Sequence, residues 1–163
     1  MEYWDLYDKD RKPLNKKHLR GEQFEEGEYY FCCEVWIVNS KGEYFTTKRH
    51  PSKKSGNLWE FSGGGTLAGE TTLQSAVRET FEETGIKLQE NEITLMTTYQ
   101  HKNYFQDIYL VKKDFDIKDV VLQQEETIDA KWADSNEIQN MIANGEFVYS
   151  VGLRYGMFKD LVK

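Results

Sequence analysis

The chain has 163 residues, with 28 acidic and 21 basic side chains and a net charge of −7. That is the length of one domain, and the acidic balance argues against a general nucleic-acid binder, which needs a basic face for phosphates. No apolar run approaches the roughly 20 residues of a membrane span. The opening Met1-Glu2-Tyr3-Trp4-Asp5 lacks the basic and apolar segments of a secretory signal. Cys32 and Cys33 are adjacent, and neighbours on a strand point to opposite faces, so a disulfide between them would be strained. A reduced, cytoplasmic protein is the expectation.

Residues 2–8 alternate loosely and predict a short strand. Residues 9–20 are rich in Lys and Arg, and residues 22–28 in Glu, which reads as a solvated loop. Residues 29–38 (Tyr29 to Val38) are aromatic and β-branched, a buried strand. Asn39-Ser40-Lys41-Gly42 is a turn, and residues 43–49 return as a second strand. Trp59-Glu60-Phe61 then leads into the glycine run Gly63–Gly65. Thr71 and Gln74 form a capping box at the start of a helix that Gly85 ends. Residues 92–99 and 104–112 read as strands, and 127–132 as a shorter one. Asp134 and Glu137 predict a second capping box, with Ile138, Met141 and Ile142 as the apolar stripe. Val151, Tyr155, Phe158 and Val162 suggest a final amphipathic helix. This order predicts an α+β fold, an α/β/α sandwich around a mixed β-sheet, with residues 1–163 as one domain and an N-terminal strand or hairpin extension over about 1–28.

On the helix after Thr71, Glu79, Glu82 and Glu83 fall within an arc of about 100°. Leu73, Val77, Phe81 and Thr84 mark the opposite, buried side. Like charges at this spacing repel, and only Arg78 is close enough to offset them. Such a cluster is either an exposed acidic face or a site for Mg²⁺ or Mn²⁺, hard cations that take oxygen ligands.

The flanking residues favour the second reading. Gly64, Glu70, Arg78, Glu79, Glu82, Glu83 and Gly85 occupy every fixed position of Gly-x5-Glu-x7-Arg-Glu-U-x-Glu-Glu-x-Gly-U, where U is a bulky aliphatic residue. Chance agreement at a given start is on the order of 10⁻⁸. Over residues 64–86 the chain thus resembles the Nudix hydrolases. Ile86 satisfies the last U. Thr80 stands at the first and is expected to pack through its methyl. The order of elements around the box also resembles the whole Nudix fold.

The resemblance implies hydrolysis of a diphosphate linked to a second moiety, with Mg²⁺ or Mn²⁺. Glu79, Glu82 and Glu83 would bind metal, joined by the Gly63 carbonyl, and Arg78 would orient a glutamate. Gly64, in a glycine loop without a Cβ in the way, would let backbone approach metal or phosphate. Glu70 either contacts the metal directly or serves as favourable charge at a helix N-terminus. The general base falls to a late glutamate, Glu125 or Glu126, with Glu126 preferred. Arg49 is a candidate for phosphate, and Tyr99 and His101 are candidates for substrate contact, with Tyr104 and Phe105 as further rings that could stack on a base. Cys32 and Cys33 read as small core residues.

Trp4-Asp5-Leu6-Tyr7-Asp8, Gly27-Glu28-Tyr29-Tyr30, Lys48-Arg49-His50, Ser52-Lys53-Lys54 and Trp59 are similar to the isopentenyl-diphosphate isomerase branch of the family. That branch uses a cysteine after this tryptophan and a histidine-rich metal site. Here Phe61-Ser62-Gly63-Gly64 offers neither, and the hydrolase box is intact. Hydrolysis is therefore preferred, with an isomerase-like enzyme and a non-catalytic ligand sensor as alternatives. The expected partner is a small-molecule diphosphate, with no DNA and no membrane. The net charge disfavours RNA, although the basic stretch over residues 9–20 could steer it. A homodimer is left open, since many Nudix proteins form one and no exposed apolar stripe in the sequence demands it.

Overall fold

The computed structural model describes all 163 residues. Its centre is β3 (Tyr30–Val38), the run of aromatic and β-branched residues, buried along most of its length. One edge of β3 pairs in parallel with β8 (Tyr104–Lys112), with Cys33 opposite Asp107. The other edge is shared. β6 (Ser62–Gly65) pairs antiparallel with the first half, Gly63 opposite Glu34, and β4 (Tyr44–Arg49) meets the far end at Val38 and Tyr44. β7 (Ile93–His101) extends the sheet beyond β8, while β5 (Trp59–Glu60) and β9 (Thr127–Ala133) flank β4. The sheet is mixed and seven-stranded.

Alternation along β3 sends its side chains into two cores. Cys33, Val35 and Ile37 pack with Ala76 of α1 (Thr72–Thr84) and with Ile86, Leu88 and Val111. Trp36 and Val38 pack on the other face with Ile138 and Met141 of α2 (Ser135–Ala143) and Val151 and Tyr155 of α3 (Tyr149–Phe158). The layers are helix, sheet, helix, as expected. No helix is long and apolar enough to cross a membrane.

Several local expectations change. The basic stretch after Lys9 is not a free loop: β2 (Pro13–Leu19) pairs antiparallel with β1 (Tyr3–Tyr7) in a separate two-stranded sheet. Rings hold this hairpin down. Trp4 stacks on Tyr30 at 4.3 Å and Tyr7 on Phe31 at 3.8 Å. Arg11 adds a bidentate pair to the buried Asp107, both bonds at 2.9 Å. The glycine run is a strand rather than a loop. His101 ends β7 instead of lying between strands. Only half of the second capping box forms: Asp134 accepts from the Glu137 amide, while the Glu137 carboxylate accepts from Lys131 at 2.6 Å. An exposed apolar row does exist, Tyr149, Leu153, Met157 and Leu161, one helical turn apart on α3 and just beyond it.

Candidate active site

Thr71 caps α1 through the reciprocal bonds with Gln74, and Gly85 closes it at φ 72° while its N–H donates to the Phe81 carbonyl. The face of α1 laid on the sheet carries Thr72, Ser75, Ala76, Thr80 and Thr84, all buried. These are small side chains, so the helix approaches β3 and β6 closely. At 100° per residue, Glu79 and Glu83 fall inside that same arc. Their carboxylates therefore enter the seam between helix and sheet, and only Glu82, half exposed, looks outward. The expectation of three glutamates opposite the buried face is corrected. Phe81, counted there as core, is 47% exposed. Thr80 is fully buried, as its place in the box requires.

Arg78 ties the acidic groups together. Its Nε and Nη2 donate to Glu70 at 2.6 and 3.0 Å, and its Nη1 to Glu79 at 3.0 Å and Glu82 at 3.2 Å. Nη2 also reaches the Gly65 carbonyl at 3.3 Å. Burial works against its charge, but these carboxylates outweigh it and hold the guanidinium more firmly protonated than usual. Glu70 accepts from the Leu67 amide as well, so it anchors Arg78 from behind.

Glu83 has no such partner. Its Oε2 is buried and without any hydrogen bond. Burial pushes its carboxyl well above the ordinary glutamate value, and the neighbouring charges of Glu60 and Glu79 add to the rise. Burial likewise raises Glu79 and Glu60, each opposed by an arginine, Arg78 and Arg49 respectively.

These groups line a cavity of about 320 Å³ whose floor is Gly63, Gly64 and Gly65. Glu60, Glu79, Glu82, Glu83 and Glu126 reach it, as do Arg20, Arg49 and Lys53. Glu126 thus stands on the wall, its carboxylate in an ion pair with Lys53, while its exposed neighbour Glu125 does not line the cavity. Burial lowers the affinity of the Lys53 ammonium for its proton, and Arg49 adds to the effect. Trp4 covers one end, its Nε1 buried without a partner and close to Gly65.

Not every candidate arrives there as expected. Arg49 lines the cavity, but its Nη1 is held by both oxygens of Glu60 at 3.0 and 2.9 Å and its Nε by the Lys54 carbonyl at 2.9 Å. Tyr99 and His101 do not line it; they stack on each other at 5.9 Å near the end of β7. Cys33 is buried as core, whereas Cys32 is half-buried and forms part of the wall. Gly63 lacks a side chain for a different reason than expected: a Cβ there would collide with the Cys33 carbonyl oxygen of the paired strand.

Glu60 is the functional candidate that sequence reading misses, and Lys53 is recognised there only within the Ser52-Lys53-Lys54 resemblance, without a role. Glu60 lies outside the box, on a two-residue strand. Its one signal is an acid set between two aromatics just before the glycine run.

No three His, Cys, Asp or Glu side chains already stand at metal-binding separation, and Arg78 holds one oxygen each of Glu79 and Glu82. The donor set nonetheless suits a hard divalent cation. Glu83 keeps a free buried oxygen beside Glu79 and Glu60, and the cavity carries six acidic groups against three basic ones.

Comparison with known proteins gives a consistent picture. The NUDIX domain matches residues 33–150. An uncharacterized Nudix hydrolase of Listeria monocytogenes is 35% identical over 150 residues, covering 91% of this chain and 89% of that protein. An RNA pyrophosphohydrolase of Erythrobacter litoralis is 39% identical over 62 residues, 38% of this chain and 37% of that one. Among solved structures, DR0079 from Deinococcus radiodurans superposes with a TM-score of 0.79 at 18% identity, over 99% of this chain and 100% of that one.

Proposed function

The chain belongs to the Nudix hydrolase family, which acts on nucleoside diphosphate derivatives and other pyrophosphates, and on that premise we propose that it hydrolyses a small-molecule diphosphate with Mg²⁺ or Mn²⁺ held by the α1 carboxylates. The observation that carries this reading is the free, buried oxygen of Glu83. A buried carboxylate oxygen without a hydrogen bond is costly, and burial with the charges of Glu60 and Glu79 outweighs what Lys53 and Ser62 offer Glu83. A cation bound among these carboxylates removes that cost.

Glu79, Glu82 and Glu83 are the proposed ligands, with the Gly63 carbonyl beside them. When bound, the cation supplies positive charge to the diphosphate oxygens and acidifies water for attack on phosphorus. Arg78 aims Glu79 and Glu82, and Glu70 holds Arg78. Gly64 leaves room for the Glu79 carboxylate. Glu126 is the proposed base that takes the proton of the attacking water. Lys53 neutralises Glu126 until a substrate phosphate draws the ammonium away. Arg49 acts through Glu60, which it fixes against the wall. Tyr99 and His101 have no role in this reading.

Cys32 bears on the isomerase-like alternative, since it puts a thiol in the wall. Burial pushes that thiol up to about 12, which withholds the thiolate and favours hydrolysis.

The test is a panel of nucleoside triphosphates, nucleotide sugars, ADP-ribose, dinucleotides, coenzyme A, isopentenyl diphosphate and 5′-triphosphate RNA with Mg²⁺ or Mn²⁺. Phosphate release is read with and without a coupling phosphatase. Metal-dependent turnover of one class is expected, reduced by orders of magnitude in Glu82→Gln and Glu83→Gln with the fold intact. Wild-type turnover in both variants overturns the ligand assignment.

A further inference from the structure

A second cavity, also about 320 Å³, lies on the α3 side of β6. It shares Cys32, Arg49, Glu60 and the three glycines of β6 with the first, so the two meet along the glycine strand and at the Arg49–Glu60 pair. Its floor is formed by side chains of β3 and β8 that face away from α1. Cys32 and Glu34 alternate to that face, and Gln106 joins them because it stands opposite Cys32 in the parallel pair. The wall is the first turn of α3, with Arg154 one turn further on.

The side chains here are fixed but not used up. Arg154 is 6% exposed, and its Nε donates to Glu34 Oε2 at 2.6 Å. The other Glu34 oxygen accepts from Trp36 Nε1 at 2.8 Å. Both oxygens are thus taken, while the two Nη groups of Arg154 have no acceptor in the protein. Gln106 is 7% exposed, lines the cavity and makes no side-chain hydrogen bond. These groups are not sealed off from solvent but open into the cavity, so a ligand entering it meets two polar side chains that the protein leaves without partners. The N-terminus of α3 adds to them. Val148 is its N-cap and no side chain caps the helix, which leaves first-turn N–H groups free. Lys54 stands at the rim.

The free groups are overwhelmingly donors. The nearby carboxylates of Glu34 and Glu60 are already held by Arg154 and Arg49. A ligand for this space must bring acceptors and negative charge. We propose that the second cavity is an anion subsite that binds a phosphate monoester on the far moiety of the diphosphate substrate. The inference rests on the diphosphate-hydrolase reading and narrows its substrate class to compounds with a second anionic group.

The test uses the full-length, metal-free chain and ribose 5-phosphate, with ribose and cytidine as uncharged controls. Nuclear magnetic resonance reads the Gln106 side-chain amide, Arg154 Nε–H and the backbone amides of residues 149–152. Ribose 5-phosphate is expected to shift these signals, and ribose and cytidine to leave them in place. Gln106→Leu, which keeps the Glu34–Arg154 pair, is expected to weaken the binding about tenfold, the effect of losing one hydrogen bond to a charged group. Shifts confined to the first cavity, equal shifts with cytidine, or binding unaffected by Gln106→Leu overturn the proposal.

Hydrolysis separates this inference from the reading it rests on. Coenzyme A and dephospho-coenzyme A differ by one phosphate monoester. With Mg²⁺, Gln106→Leu is expected to raise KM for the first relative to the second. If no diphosphate in the panel is turned over but ribose 5-phosphate still binds here, the hydrolase reading falls and the subsite stands. If both coenzymes are cleaved with equal KM and ribose 5-phosphate shifts nothing here, the subsite alone falls.

Discussion

The Glu79 carboxylate lies where Gly64 has no side chain: a Cβ at Gly64 would stand 2.6 Å from Glu79 Oε1. Its neighbour Gly63 faces backbone, the Cys33 carbonyl, in the paired strand. The two glycines are adjacent and both sit on β6, yet one makes room for a functional group and the other for the sheet.

Alanine at each position should therefore fail differently. Gly64→Ala pushes aside the end of a flexible side chain, so the fold should survive while kcat drops about 100-fold from a misplaced carboxylate. Gly63→Ala strikes a strand that cannot yield, and should cost about 2–3 kcal/mol of stability. Thermal melts and kinetics on both variants check this; equal melting temperatures would remove the distinction.

The buried glutamates predict a pH-dependent stability in metal-free protein. Burial raises Glu60, Glu79 and Glu83 above the ordinary value of 4.5. A group raised in the folded state contributes fully below its unfolded pKa, and that contribution is lost as pH rises through the folded one. Metal-free protein should thus lose stability from about pH 4.5 upward, and Glu83→Gln should lose less. Mg²⁺ should restore the wild type more than the variant. Parallel stability curves for the two proteins would contradict the assignment of an enclosed charge.

Glu126→Gln separates a base from a wall residue. If Glu126 takes the proton, kcat falls by about 10²–10⁴ and the acidic limb of the pH–rate profile disappears. If its only task is to hold Lys53, the profile keeps its shape. Lys53→Met should raise KM more than it lowers kcat.

Both thiols should be unreactive in the folded chain. Burial pushes Cys32 and Cys33 up to about 12, and the Cys33 sulfur lies 3.4 Å from the Ser75 hydroxyl. Alkylation at pH 8 should be much slower than for free cysteine, whose pKa is about 8.5, until denaturant is added. Rapid labelling of Cys33 in the native protein would show that the core opens, and rapid labelling of Cys32 would contradict its raised pKa.

Local signals made much of this architecture legible. Thr71 and Gln74 cap a helix through bonds three residues apart, and Gly85 ends it by a conformation only glycine adopts cheaply. The aromatic and β-branched run of β3, interrupted only by Glu34, reads as a buried strand. What stayed hidden was set by packing. Leu73 and Val77 do pack against the core, partly buried, but Phe81 is exposed, and Thr72, Ser75, Ala76 and Thr80 form the fully buried face, because close approach to a glycine strand requires small residues rather than large apolar ones. The pairing of Arg49 with Glu60 depends on the register of β4 against β5, which no spacing reveals. Tyr99 and His101 were plausible from their residue types alone, and the turn of β7 carries them elsewhere.

The Glu34–Arg154 pair joins residues 120 positions apart, and Arg11 meets Asp107 across 96. Such non-local pairings close large loops and slow folding. On this topology the parallel seam of β3 and β8, the hairpin over the glycines and the far wall on α3 should come together late, once those loops have closed. Until then the α1 glutamates stay solvated, where their charges are well tolerated. The desolvation that readies Glu83 for a cation is thus imposed last, so the site should acquire its metal affinity only as the molecule completes itself.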